Sequence, residues 1–198
     1  MITKDDLRMV KCFYFTYLCN FKNYTSKLKN SSICLLYPPF KTKIKTLLQR
    51  YVELDPNNRP AVFESFRSNT RQIELYNLGV SGIKSNGYHH FGLAVDIVFI
   101  KDNNPYWEGN YKLLDDISLP IGLHKTGFKE QCHFQMFPDN DLSVLRNYII
   151  QETKLLQTLF KIKADGIIGP ITLSYLWKFY WSKSDPDTQK HVLEGSFT

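Results

Sequence analysis

Gly87-Tyr88-His89-His90-Phe91-Gly92-Leu93-Ala94-Val95-Asp96-Ile97-Val98-Phe99-Ile100 is the stretch from which the rest of the chain is best read. Leu93 to Ile100 is apolar on both period-2 faces, the pattern of a strand buried on both sides. Asp96 interrupts it. An ionised carboxylate in such a strand is costly to desolvate unless it is paired or bound to a metal. His89 lies just upstream, across a Gly-containing turn. A second apolar patch, Cys132-His133-Phe134-Gln135-Met136, brings another imidazole. Two imidazoles and one carboxylate are therefore available to converge on one divalent ion.

Working outward, elements of both kinds alternate without a regular repeat. Residues 1 to 35 carry periodic apolar positions, consistent with one helix or two. Pro38-Pro39 punctuates, and Lys41 to Val52 reads as a helix with Ile44, Leu47, Leu48 and Val52 on one face. Ala61 to Phe66 reads as a strand and Thr70 to Leu78 as a helix closed by Gly79. Ser81 to Gly87 is a polar loop, and Tyr111 to Ile117 another helix. After Pro138 the character changes to two helices, Leu145 to Phe160 and Ile171 to Trp181, joined by a Gly-containing turn. The expected fold class is α+β: a small antiparallel sheet with flanking helices, followed by a small all-α module. The boundary is placed near 140, giving a first domain over 1–140 and a module over 141–198 with a polar tail.

Composition narrows the function classes. The 198 residues are 43% hydrophobic and 15% aromatic, enough for a core and against wholesale disorder. No apolar run approaches the ~20 residues that a membrane-spanning helix needs. No secretory cleavage pattern follows an apolar stretch at the N-terminus, so the chain is expected to be cytoplasmic when synthesised and not membrane-inserted. Cys12, Cys19, Cys34 and Cys132 form no CxxC pair; a disulfide among the three in the first 34 residues is conceivable, and free thiols in a reducing compartment are the expectation. Of the net charge of +6, residues 1 to 50 hold ten Lys/Arg against Asp5 and Asp6. This basic segment, interleaved with Phe13, Tyr14, Phe15 and Tyr17, is read as a solvated face over an aromatic core. Nucleic acid is not counted among the partners.

The candidate chemistry lies in two spacings. His89 and Asp96 are seven residues apart; Glu130 and His133 are three apart. Zinc takes imidazole nitrogen and carboxylate oxygen, and catalytic sites use three protein ligands and keep one position open. With His89, Asp96 and His133 as ligands, Glu130 is left as an unligated acid suited to moving a proton. His90, adjacent to His89, could in principle compete for the metal; the match to the family motif described below favours His89 and leaves His90 expected to line the cleft. His124 and His191 have no motif context and are read as surface residues.

The ordered string is more specific than either spacing. It runs Glu64-Ser65-Phe66-Arg67-Ser68, Gln72, Leu75-Tyr76, His89-x-x-Gly92-x-Ala94-x-Asp96 and Glu130-x-x-His133-Phe134-Gln135. It resembles the zinc D,D-carboxypeptidase and L-alanyl-D-glutamate endopeptidase family, which cleaves peptidoglycan stem peptides, over about residues 40 to 137. The resemblance implies one zinc ion held by His89, Asp96 and His133, with Glu130 as general base. It implies that Arg67 binds substrate and stabilises the oxyanion, that Gln72 supports the substrate site, and that His90 lies beside it. Two positions depart from the family pattern: Gly87 stands where Ser is common, and Glu130 where Asp is frequent. Neither removes a ligand.

Behind this, Asp165-Gly166-x-x-Gly169-Pro170-x-Thr172 resembles the turn of the small helical peptidoglycan-binding module found beside wall hydrolases. The expected activity is zinc-dependent endopeptidase cleavage of peptidoglycan, as in a phage lysin. D-alanyl-D-alanine carboxypeptidase or a non-catalytic wall-binding protein on the same fold are the alternatives. Peptidoglycan is the expected partner, and the chain is expected to be a monomer.

Overall fold

The Asp96 run forms a strand in the computed structural model, which describes residues 1–126 and 131–181. This strand, β2 (Ala94–Lys101), is the centre of a four-stranded antiparallel sheet. It pairs with β1 (Arg59–Glu64), with β3 (Asn104–Tyr106) at its C-terminal end, and with β4 (His133–Gln135) at its N-terminal end. Val95, Ile97, Val98 and Phe99 are all buried, as a strand apolar on both faces requires. The architecture is α+β, with a small antiparallel sheet and several helices.

Two compact units divide the chain. One spans Lys27–Asp139; the other joins Met1–Ser26 to the segment beginning at Asn140. The break at 139/140 lies where the composition changes. The first 26 residues nevertheless group with the C-terminal segment, whereas the expected domain over 1–140 had placed them with the sheet.

In the sheet-bearing unit, α2 (Pro38–Leu54) buries Phe40, Ile44, Leu47 and Tyr51 and packs on β1 and on α4 (Tyr111–Ser118). It starts three residues before the expected Lys41. Pro in the first helical turn loses no hydrogen bond, because those N–H groups have no intrahelical acceptor. Phe66, Phe91, Phe99, Phe134 and Leu114 complete the core. The helix α3 (Asn69–Asn77) follows β1, its N-terminus capped by Ser68, which accepts from the Arg71 amide.

The other unit opens on α1 (Lys4–Thr16), whose Thr3 and Asp6 form a reciprocal capping box. Val10, Tyr14 and Phe15 of α1 are buried, as are Leu145 and Ile149 of α5 (Asp141–Leu159) and Leu176 of α6 (Pro170–Trp181). Helix α1 packs on both. The turn between α5 and α6 is organised by Gln157, which is fully buried. Its amide nitrogen bonds Asp165, the Ile167 carbonyl and Thr172, each at 3.0 Å, and its oxygen accepts from the Gly166 amide. The Asp-Gly-x-x-Gly-Pro-x-Thr element is thus a structural turn. Trp177 and Tyr180 are half-buried on α6. The expected polar tail, including His191, lies outside the described residues.

Candidate metal centre

A bulge in β1 sets the geometry of the centre. Val62 pairs with Ile97 and Glu64 with Asp96, so Phe63 is an extra residue on the β1 side. Asp96 pairs in turn with His133 across β2 and β4. Glu64, Asp96 and His133 therefore form one row across three strands. His89 comes from a 3-10 turn, Tyr88–Phe91, ended by Gly92 at φ +67. Only glycine adopts that left-handed conformation at little cost, which is the physical reason for Gly in His-x-x-Gly.

Three acceptor atoms meet. Asp96 Oδ1 lies 3.1 Å from His133 Nδ1 and 3.3 Å from His89 Nε2, and the two imidazole nitrogens are 3.3 Å apart. The second nitrogen of each ring fixes which lone pair faces inward. His89 Nδ1–H donates to the Ser65 carbonyl at 2.9 Å. His133 Nε2–H donates to Gln135 Oε1 at 3.0 Å, and the Gln135 amide is oriented by donating to Phe137 O and Asp139. The neutral rings therefore aim two lone pairs at each other and at a carboxylate oxygen. Such a triangle repels itself unless a cation occupies it. Tetrahedral zinc with bonds of about 2.0–2.1 Å has ligand–ligand edges of roughly 3.3–3.4 Å, close to those found here. Among the described residues these three form the metal-capable cluster, and they fit a zinc ion.

The protonation tendencies follow from burial and from the cluster. Burial lowers the pKa of His89, against the pull of Asp96. For Asp96, burial alone would raise the pKa, but His89 and His133 hold it well below the usual carboxylate range.

Arg67 sits differently from the expectation drawn for it. Its Nε and Nη2 donate to Glu64 Oε2 at 3.0 and 2.7 Å, Nη2 also to Asp96 Oδ2 at 2.8 Å, and Nη1 to Gln72 at 3.3 Å. Four of the five N–H donors of the guanidinium are spent on protein. Arg67 thus holds Asp96 through Oδ2 and leaves Oδ1 facing the two imidazoles, with one guanidinium donor to spare. Gln72 is 3% exposed and bonds Arg67, Ser81 and the Ile83 carbonyl, a supporting position.

His90 is a correction. It is 1% exposed, bonded to the Arg67 carbonyl at 3.2 Å and Asn69 at 3.4 Å, with burial pushing its pKa down to about 4. It braces the Arg67 backbone and does not line the cleft. Glu130 lies outside the described residues. His124 is exposed, as expected.

The cleft beside the triangle has a volume of about 300 Å³. Phe63, Leu75, Val80 and Trp107 form an apolar wall; Arg67, Arg71, Asp96 and His133 supply the charged side. Phe63 and Trp107 pack edge to face with centroids 4.8 Å apart. Trp107 was missed in the sequence, and Arg71, read from the sequence as a local helix contact rather than a second anion anchor, lines the cleft. Arg71 lies in the first turn of α3, four residues after Arg67, which precedes the Ser68 cap.

Fold and site together describe an α+β protein with a His-Asp-His centre fitted to a divalent ion. No protein family profile matches this chain, and no curated protein does. Among solved structures, the L-Ala D-Glu endopeptidase ChiX of Serratia marcescens aligns with a TM-score of 0.45 and 20% identity, over 57% of this chain and 92% of that one.

Proposed function

We propose that this chain is a zinc peptidase that hydrolyses peptide bonds in peptidoglycan stem peptides, with endopeptidase cleavage of the L-alanyl-D-glutamate type. The observation that carries the reading is the inward-facing triangle of His89, Asp96 and His133, whose edges match a tetrahedral zinc and whose rings are locked in the ligating tautomers. The ordered motif string around it supports the substrate class. Zinc bound there supplies Lewis-acid polarisation of the scissile carbonyl and makes water acidic enough to lose a proton near neutral pH. Glu130, three residues before His133, takes the proton from the attacking water and returns it to the leaving amine. Arg67 keeps Asp96 oriented through a 2.8 Å bond and directs its remaining N–H toward the developing oxyanion. The helical segment after 140 is proposed to bind the wall, and the whole chain to act as a monomeric phage lysin. No described helix is long and apolar enough to cross a membrane.

Mass spectrometry of digested sacculi tests this. New N-terminal D-glutamate ends that vanish with a chelator and return with zinc are the expected result. Release of terminal D-alanine alone would instead make the enzyme a carboxypeptidase. Glu130→Gln should lower turnover at least a hundredfold, the lower end of what general base catalysis contributes, about 10²–10⁴. Lysis by that variant equal to wild type would remove Glu130 from the mechanism, and wall binding without lysis by either would make the chain a non-catalytic wall-binding protein.

A further inference from the structure

The charge pattern of the cleft has an unused half. Glu64 is 1% exposed and holds two guanidiniums, Arg67 through Oε2 and Arg71 through Oε1. Arg67 is nearly exhausted by Glu64, Asp96 and Gln72. Arg71 is not. Its Nε donates to Glu64 and Nη1 reaches the Lys27 carbonyl at 3.4 Å. Three of its five N–H donors, including both on Nη2, have no partner among the described residues. Its side chain is 18% exposed and lines the cleft with Arg67 and His133. A guanidinium clamped on one edge by a buried acid, with its other edge open, is preorganised to receive a carboxylate in parallel hydrogen bonds.

The balance of charge points the same way. Among the described lining residues Arg67 and Arg71 offset Glu64 and Asp96, so a divalent ion on the triangle leaves an excess of two positive charges, and the Glu130 carboxylate proposed above as the base reduces it to one. An anionic group on the substrate restores neutrality. The wall of Phe63, Leu75, Val80 and Trp107 suits the aliphatic part of the residue that carries it.

Resting on the peptidase reading above, we infer that Arg71 is the specificity determinant of the cleft. It binds a free α-carboxylate on the residue that supplies the leaving amine, while the remaining donor of Arg67 is kept for the oxyanion. D-glutamate following L-alanine and a terminal D-alanine both present that group next to the scissile bond, so the shared chemistry is an unamidated α-carboxylate.

The test compares an N-acylated L-alanyl-D-glutamyl stem peptide with its D-isoglutaminyl counterpart, in which the carboxylate is a carboxamide. Acyl-D-alanyl-D-alanine and its amide form a second pair. Wild type should prefer the carboxylate by roughly tenfold to a hundredfold in kcat/KM, the range of a charge-assisted hydrogen bond, and mainly through KM. The pair showing that preference identifies the source of the group. In Arg71→Gln the preference should collapse to within about threefold of unity, while Arg71→Lys, which keeps a charge against Glu64, should retain part of it. A purely structural role would lower both members of a pair equally and overturn the assignment. Calorimetric binding of the leaving-side peptides to zinc-free protein gives a readout independent of turnover, with the same discrimination expected. Equal hydrolysis of carboxylate and carboxamide by wild type would overturn the Arg71 assignment alone. Hydrolysis of no peptide by zinc-loaded wild type would overturn the peptidase reading and this inference together.

Discussion

Gln135 shows how much of a candidate metal centre is built behind the residues that would hold the ion. Its oxygen accepts the outer N–H of His133 at 3.0 Å, and its amide nitrogen is pinned at 2.8 Å to the Phe137 carbonyl and 2.7 Å to Asp139. Replacing it by Met keeps the volume and removes the acceptor, so the His133 ring loses both its tautomer and its orientation. Zinc affinity of Gln135→Met, measured by chelator competition, should fall about 10- to 100-fold, the usual cost of losing such a support. Unchanged affinity would mean that the imidazole orientation is set by β4 alone. The three members of the His-Asp-His cluster were legible from the sequence, because a lone carboxylate in a strand apolar on both faces needs a partner. Gln135 was visible only as part of the motif string. Its function depends on a side chain that turns back along its own strand, which spacing does not encode.

At the scale of elements, the α5–α6 turn depends on Gly166, which has φ +75. A Cβ there would lie 2.8 Å from Ile150 Cγ2 and 3.3 Å from the Ile150 carbonyl. Gly166→Ala adds left-handed strain of about 1–2 kcal/mol to that contact. It should lower unfolding free energy by roughly 2–3 kcal/mol, seen as a lower urea midpoint with an unchanged slope. Equal stability would show that the turn relaxes without cost. Helices were read with errors of a few residues at their ends. The small strand β3 (Asn104–Tyr106) was missed, because three residues containing a proline carry no alternation and are held only by pairing with Phe99 to Lys101. The expected strand Ala61–Phe66 begins two residues earlier and ends at Glu64. Residues 65 and 66 instead leave the sheet, Ser65 hydroxyl and amide bonding backbone at Asn30 and Ser32.

For the whole molecule, buried histidines couple stability to pH. Burial lowers the His90 pKa from 6.5 to about 4, and lowers that of His89 as well. Between these values the unfolded chain binds the proton that the folded chain refuses. Stability is therefore complete above about pH 6.5 and falls as the pH drops toward 4, by roughly 3 kcal/mol at pH 4 from His90 alone. The depressed Asp96 acts in the same direction, losing its contribution only below the carboxylate range. Thermal unfolding in chelator from pH 7 to pH 4.5 should show the decline, with a shallower slope in His90→Gln. Parallel slopes would assign the acid sensitivity to other groups. The grouping of Met1–Ser26 with the C-terminal segment also belongs to this scale. It was hidden from the sequence because apolar periodicity marks a face to be buried without naming what buries it.

The sequence by itself determined the chemistry available: two imidazoles, a misplaced carboxylate, a second acid and a turn motif, each tied to a local constraint of burial or backbone conformation. Tertiary structure decided how these groups are deployed. The bulge at Phe63 brought Glu64 into line with Asp96 and His133, and that alignment committed Arg67 to the protein and left Arg71 with open donors. The reason is physical: a residue's chemical type is local, but the number of its hydrogen bonds already satisfied depends on strands and turns far away in the chain.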